Sequence, residues 1–323
     1  MNTRALIDPQ LISGIETFPT LDFTGIDIPA FRASLPYTPA PFDTYLGDDV
    51  TVEEGNALCE HGRHEVPFLL YRPKGKGELC PLFLNIHGGG YMFGSARETG
   101  PGDVRTVSEL GCMVASVEYR LAPETVAPGS VEDCYAVLKW IWQHADEIGV
   151  DKSRIAIGGQ SAGGGLAAAL ALLARDRGEI QLCFQLLIYP MLDDRTATRP
   201  AEHNNPSTGE FIWVRASNLV GWRALLGVEP GGEGISPYAA PARAADLRDL
   251  PPAYISVGML DLFLEENMTY AQRLIASGVQ TELHVYPGAY HGYEMVADAA
   301  VSRRSEDERR RALERAFGIR KSF

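Results

Sequence analysis

The stretch RIAIGGQSAGGGLAAALALLARDRG, residues 154–178, limits the fold more than any other part of the chain. Its first part is an apolar run that stops at glycines, as a buried strand does. Its second part is rich in Ala and Leu and reads as a helix closed by Gly178. Glycine costs about 0.5–1 kcal/mol relative to alanine in regular structure, so clustering it around Ser161 needs a reason. A very tight strand-to-helix turn supplies one. Side chains at 159 and 163 would collide with neighbouring backbone there, and Gly159 and Gly163 would not. Such a turn leaves the Ser161 hydroxyl exposed above a helix N-terminus, where negative charge is favoured.

The same rhythm runs through the middle of the chain. Strand-like runs fall at 81–87 (PLFLNIH), 111–119 (GCMVASVEY), 154–159, 183–190 (CFQLLIYP), 251–261 and 281–292. Helical patterns fall between several of them, at 130–149 with Ser130 as its cap, at 164–178 and at 263–278. Two further strands precede them, TVEEGNALCEH and EVPFLLYRP, with Gly62 in the turn. This alternation predicts an α/β fold, a mostly parallel central sheet flanked by helices. Residues 1–48, rich in Pro, Phe and Tyr, lack the rhythm and are expected as an N-terminal cap segment over a domain spanning 49–323. Residues 191–240 interrupt the rhythm with FIWVRASNLVGWRALLG and are expected to form a second cap segment; insertions of this length often serve as lids.

Charge and cysteine content narrow the partners. Over 323 residues the net charge is −13, which argues against general nucleic-acid binding. The tail from Arg303 to Lys321 mixes arginines with acids and reads as a solvated helix laced with ion pairs. Five widely spaced cysteines without a CxxC pair fit reduced thiols in the cytoplasm. No run reaches 18 apolar residues, so no membrane span is expected, and the first residues carry no signal-peptide pattern. His61 and His64 flank a turn and would make a feeble metal site. No metal or organic cofactor is expected.

Three chemically suggestive residues fall at predicted strand ends, where ligands of such sheets bind. Ser161 is one. A serine hydroxyl needs a base, and of seven histidines His291 follows the last strand in a loop, AYHGY, that can reach over the sheet edge. His144 lies on a helix, His284 within a strand and His203 in the insertion. The base needs a carboxylate. Asp261 ends a strand and completes the chain order Ser, Asp, His; Asp193, Asp194, Glu265 and Glu266 compete with it. HGGG (87–90) ends another strand. Its bare backbone N–H groups suit an oxyanion, where donors are worth ~3–4 kcal/mol of barrier, although a flexible turn would use the same residues.

Together, HGGGY, VEYRLAPE (117–124), SVEDCYAVLKW, GQSAG, the LD of VGMLD and YPGAYHGY resemble, in order, the hormone-sensitive lipase family of α/β-hydrolases in its bacterial carboxylesterase branch. The likeness spans about residues 70–295. It implies a triad of Ser161, Asp261 and His291, and an oxyanion hole of the Gly89, Gly90 and Ala162 N–H groups. It further implies a bracing role for His87, and leaves a homodimer through the sheet edge open to the chain. It implies hydrolysis of small-molecule esters of short to medium acyl length; an amidase or acyltransferase would use the same groups. A non-catalytic receptor of this fold would lack the histidine, which is present. Gln160 stands where the family has Asp or Thr, and Leu262 follows the triad acid where the family has Pro. Tyr91, Gln160, Trp213 and Leu262 are candidates for the substrate pocket, as are Tyr37, Phe42 and Trp222, although large aromatics more often serve burial. If His291 is the base, the pH–rate profile should show an acidic limb. A rate that stays flat well below ~6.5, the ordinary histidine value, would contradict that role.

Overall fold

The structure, a computed structural model, describes residues 2–35, 40–60, 63–75, 79–198 and 205–319. Tyr37, His61, Gly62 and His203 lie outside the described residues. Eight strands form one sheet: β1 (Val50–Cys59), β2 (His64–Pro73), β3 (Cys80–Ile86), β4 (Met113–Val117), β5 (Val150–Gln160), β6 (Phe184–Ile188), β7 (Ala253–Gly258) and β8 (Thr281–Tyr286). Their order is β1-β2-β4-β3-β5-β6-β7-β8. The β1–β2 and β2–β4 pairs are antiparallel and every other pair is parallel.

The helices are α1 (Ile12–Thr17), α2 (Ile28–Ser34), α3 (Gly100–Leu110), α4 (Gly129–Ile148), α5 (Ala162–Arg177), α6 (Arg215–Leu226), α7 (Leu264–Ala276) and α8 (Ala300–Ala316). Successive strand residues point to opposite faces, so a fully covered sheet must be apolar on both. Leu82, Leu84, Ile155, Ile157, Leu187 and Ile255 pack with α4, α5 and α7. Phe83, Ala156, Leu186, Ile188, Tyr254 and Val257 pack with α3 and α8 on the other face. This explains why the strands read as near-continuous apolar runs.

Three local expectations change. Ser130 does not cap α4: the helix starts at Gly129, and the Ser130 hydroxyl donates to Arg120 O at 2.9 Å. Helix α3 lies in the segment between two strands where no helix was expected; its Val104, Val107 and Leu110 are buried. The terminal helix α8 carries its ion pairs, including Arg304–Glu308 and Arg310–Glu314, but also buries Ser302, Ser305, Ala312 and Leu313.

The segments without βα rhythm meet one another. Ile212 N donates to Thr20 Oγ1 at 3.1 Å, and Ser217 Oγ donates to Leu21 O at 2.6 Å. Phe23 packs against Phe93 and Trp213, with ring centroids 5.1 and 6.3 Å away. Arg32 ties α2 down by donating to Met92 O and Ala122 O, both at 2.8 Å.

Asp103 fastens α3 to the sheet. Its carboxyl accepts from Asn85 Nδ2, Thr99 Oγ1 and Ser116 Oγ at 2.5–2.7 Å. Burial pushes it up from 3.8 to about 7. Between those values the folded chain holds a proton that the unfolded chain has released. Its stabilising contribution is therefore present below pH 3.8 and is lost as pH rises to 7, by up to about 4 kcal/mol. Denaturant unfolding from pH 4 to 8 should show Asp103→Asn losing less stability with rising pH than the wild type. Parallel curves would contradict this.

Candidate active site

The site starts from the backbone of Ser161, which takes φ 56° and ψ −121° between β5 and α5. A non-glycine residue in that region costs roughly 1–3 kcal/mol and persists only where its surroundings fix it. Ser161 N donates to Ile188 O at 2.9 Å, and Ser161 O accepts from Gly165 N and Met191 N, both at 3.0 Å. The flanking glycines are required by space. A Cβ on Gly159 would lie 2.3 Å from Ile86 O, and one on Gly163 would lie 2.0 Å from Ile86 O and 2.5 Å from His87 O.

The loop after β8 brings His291 to this turn. His291 Nε2 lies 3.0 Å from Ser161 Oγ, and His291 Nδ1 lies 2.8 Å from Asp261 Oδ2. The other Asp261 oxygen accepts Phe263 N at 2.9 Å, which fixes the carboxylate beyond β7. All three residues are buried. Phe263 and Tyr189 pack edge-on against the imidazole, with centroids 5.2 and 4.6 Å away. This line can pass a proton from the hydroxyl to the imidazole while the carboxylate holds the tautomer.

The competing acids are committed elsewhere. Asp193 is held by Arg195, and Asp194 by Arg243 and Gly231 N. Glu266, one of the two helix acids, is buried; it accepts Leu192 N at 2.6 Å and contacts Thr196 Oγ1, and burial pushes its carboxyl well above the usual range. Glu265 is exposed.

The glycine loop lies across from the serine. Gly89 and Gly90 have φ of 113° and 60°, open to glycine and rare for other residues. Among the described residues, no backbone carbonyl outside the regular elements accepts the N–H of Gly89, Gly90 or Ala162. Trp213 covers the loop so closely that a Cβ on Gly90 would lie 2.2 Å from its ring. His87 stacks on Tyr119 at 4.1 Å, and its Nδ1 lies 2.8 Å from Gly88 O. Burial lowers it to about 4, so the brace under the loop is neutral.

A cavity of about 820 Å³ opens onto Ser161, His291, Gly89 and Gly90. Gln160 and Trp213 line it, with Phe18, Phe23, Phe93 and Met295 as further apolar wall. Tyr91 and Leu262 do not. Tyr91 is fully buried, donates to Met191 O at 2.9 Å and packs against Trp222, also buried. Leu262 faces a separate cavity beside Glu265 and Glu266. Phe42 packs on Tyr45 and under Arg97. Tyr189 and Glu294 also line the main cavity; nothing in the sequence singles them out, because their partners are distant in the chain.

Of the remaining histidines, His144 stacks on Trp140 and His284 pairs with Glu282 and Glu308. His64 joins Cys59 and Asp133 in a group whose ligand atoms lie within 4.8 Å of one another. Both Asp133 oxygens already take the Arg120 guanidinium, at 2.9 Å, so the residues present do not suit a metal ion.

Known proteins resemble this chain over most of its length. The profile of the alpha/beta hydrolase fold family matches residues 83–295. The carboxylesterase NlhH of Mycobacterium tuberculosis is 34% identical over 295 residues, covering 90% of this chain and 89% of the relative. An arylesterase of Saccharolobus solfataricus is 33% identical over 231 residues, 71% of this chain and 73% of the relative. The solved structure of a bacterial heroin esterase superposes with a TM-score of 0.88 at 42% identity, covering 98% of this chain and 99% of that one. The chain belongs to the hormone-sensitive lipase family of the α/β-hydrolase fold.

Proposed function

We propose that the chain is a serine carboxylesterase that hydrolyses short- to medium-chain acyl esters through an acyl-enzyme. The observation that carries this reading is the hydrogen-bonded line Ser161–His291–Asp261, beside the glycine loop and a cavity walled in part by Phe18, Phe23, Phe93 and Trp213. His291 Nε2 takes the Ser161 proton as Oγ attacks the ester carbonyl carbon. The oxyanion gathers at the N–H groups of Gly89, Gly90 and Ala162. When the tetrahedral centre collapses, the C–O bond to the alcohol breaks and His291 gives its proton to the leaving oxygen. Water then enters by the same steps, leaving the carboxylic acid and free serine. Asp261 orients the imidazole throughout.

The rest of the reading follows from the surroundings. The two segments around α1, α2 and α6 act as a cap, since Phe18, Phe23 and Trp213 wall the cavity above the serine. The substrate is a small ester, in keeping with a cavity of about 820 Å³ and with the names of the esterase relatives. Five widely spaced cysteines without a CxxC pair fit a cytoplasmic setting. Among the described residues, no helix is long and apolar enough to cross a membrane. A homodimer would use the edge strand β8, where Leu283 and Val285 are exposed.

Hydrolysis of p-nitrophenyl esters from acetate to palmitate tests this. The wild type should be fastest on the shorter chains and slow on palmitate, and Ser161→Ala should remove the activity. No turnover of any ester by the folded wild type would contradict the reading. Asp261→Asn should lower kcat by roughly 10⁴-fold, because the imidazole loses the partner that fixes its tautomer. A loss below tenfold would assign that role to another acid.

A further inference from the structure

Beside the nucleophile, one hydroxyl hydrogen faces two acceptors. Tyr189, held at φ 33° just after β6, places its hydroxyl 2.8 Å from Gln160 Oε1 and in contact with Glu294 Oε1. Arg309 Nη1 on α8 stands 3.9 Å from the same Glu294 oxygen. A phenol has one hydrogen, and a carboxylate facing a guanidinium accepts without donating. Burial first, and Glu294 second, hold the Tyr189 phenol far above its ordinary value, so it keeps that hydrogen. The charged acceptor takes it, because hydrogen bonds to ionised groups are the stronger ones.

The phenol oxygen must then accept from Gln160. The two ends of an amide are alike in shape, and the hydrogen-bond network decides which faces which partner. Here the network turns the NH₂ of Gln160 towards Tyr189 and leaves the carbonyl oxygen as the free end. No second hydrogen bond holds the Gln160 side chain among the described residues. It is partly exposed, it lines the cavity, and it adjoins Ser161 in the chain. The part of the cavity wall that carries Phe18, Phe23, Phe93 and Trp213 is thus joined by an oriented neutral acceptor, next in the chain to the reacting serine.

We infer that the Gln160 carbonyl, set by Tyr189, Glu294 and Arg309, selects esters that carry a hydroxyl or similar hydrogen-bond donor near the scissile carbonyl. The inference rests on the esterase reading. Gln160 is the group that meets the substrate; Tyr189 is a positioning residue that acts through it. One such bond favours a hydroxyl over its methyl ether by roughly 3- to 10-fold in kcat/KM.

Two pairs of esters test it. For the acyl arm these are p-nitrophenyl 3-hydroxybutyrate and 3-methoxybutyrate; for the alcohol arm, 2-hydroxyethyl and 2-methoxyethyl butyrate. The wild type should prefer the hydroxyl member of at least one pair by roughly 3- to 10-fold, and Gln160→Leu should bring that ratio close to one. Tyr189→Phe should shrink the same ratio, since the amide is then free to turn; a merely structural defect would lower both members alike. A wild-type ratio near one in both pairs, or a preference that survives Gln160→Leu, overturns the inference while leaving the esterase reading intact. Hydrolysis of none of the four overturns the esterase reading and this inference with it.

Discussion

Ser161 keeps a backbone conformation that an isolated peptide would leave at once, because three strands and a helix meet on it. Its N–H is held by β6 through Ile188 O. Its carbonyl takes two N–H groups, from Gly165 on α5 and from Met191 beyond β6. Gly159 and Gly163 let β5 and α5 press against Ile86 O at the end of β3, where a Cβ would intrude to within 2.3 Å. The approach of β3 sets the position of the glycine loop, and that of β6 sets Tyr189. The remaining groups of the site are placed relative to this one crossing.

Among the described residues, Asp261 is the one carboxylate hydrogen-bonded to the His291 imidazole. Asp193, Asp194 and Glu266 lie close in space, yet each is taken by an arginine, by backbone N–H groups or by a threonine. Asp261 has one oxygen on Phe263 N and the other on His291 Nδ1, with no arginine on either among the described residues. An arginine there would compete for the oxygen that faces His291 Nδ1 and would disfavour positive charge on the imidazole. His87, packed on Tyr119 beside the glycine loop, is kept neutral by burial, so it adds no charge there.

Much of this was legible in the chain because it is local. The strand, turn and helix around Ser161 follow from the pattern of residues 154–178, and the glycines at 159 and 163 mark the close approach that the structure contains. Asp261 and His291 could be picked out as strand-end residues, and chain order favoured Asp261 over Asp193 and Asp194; the Arg243 partner of Asp194 was out of reach, because only the fold brings it near. Tyr91 and Leu262 were misleading for a related reason: each neighbours a motif in sequence, yet its side chain turns to the core or to another cavity. The Gln160–Tyr189–Glu294 contact was out of reach, since its members are separated by 29 and 105 positions. Helix α3 was missed because its glycine- and proline-containing start, GPGDV, looks like a loop, while its apolar face is only Val104, Val107 and Leu110.

Hydrolysis through an acyl-enzyme requires Ser161 to form a covalent bond to the substrate's acyl group, and a trap for that bond tests this requirement. The wild-type protein would be treated with a p-nitrophenyl alkylphosphonate and analysed by intact mass and peptide mapping. One phosphonyl group on Ser161, absent from Ser161→Ala and accompanied by loss of activity, is the predicted result. Full activity with no adduct, or inactivation with the adduct on another residue, would contradict the central claim.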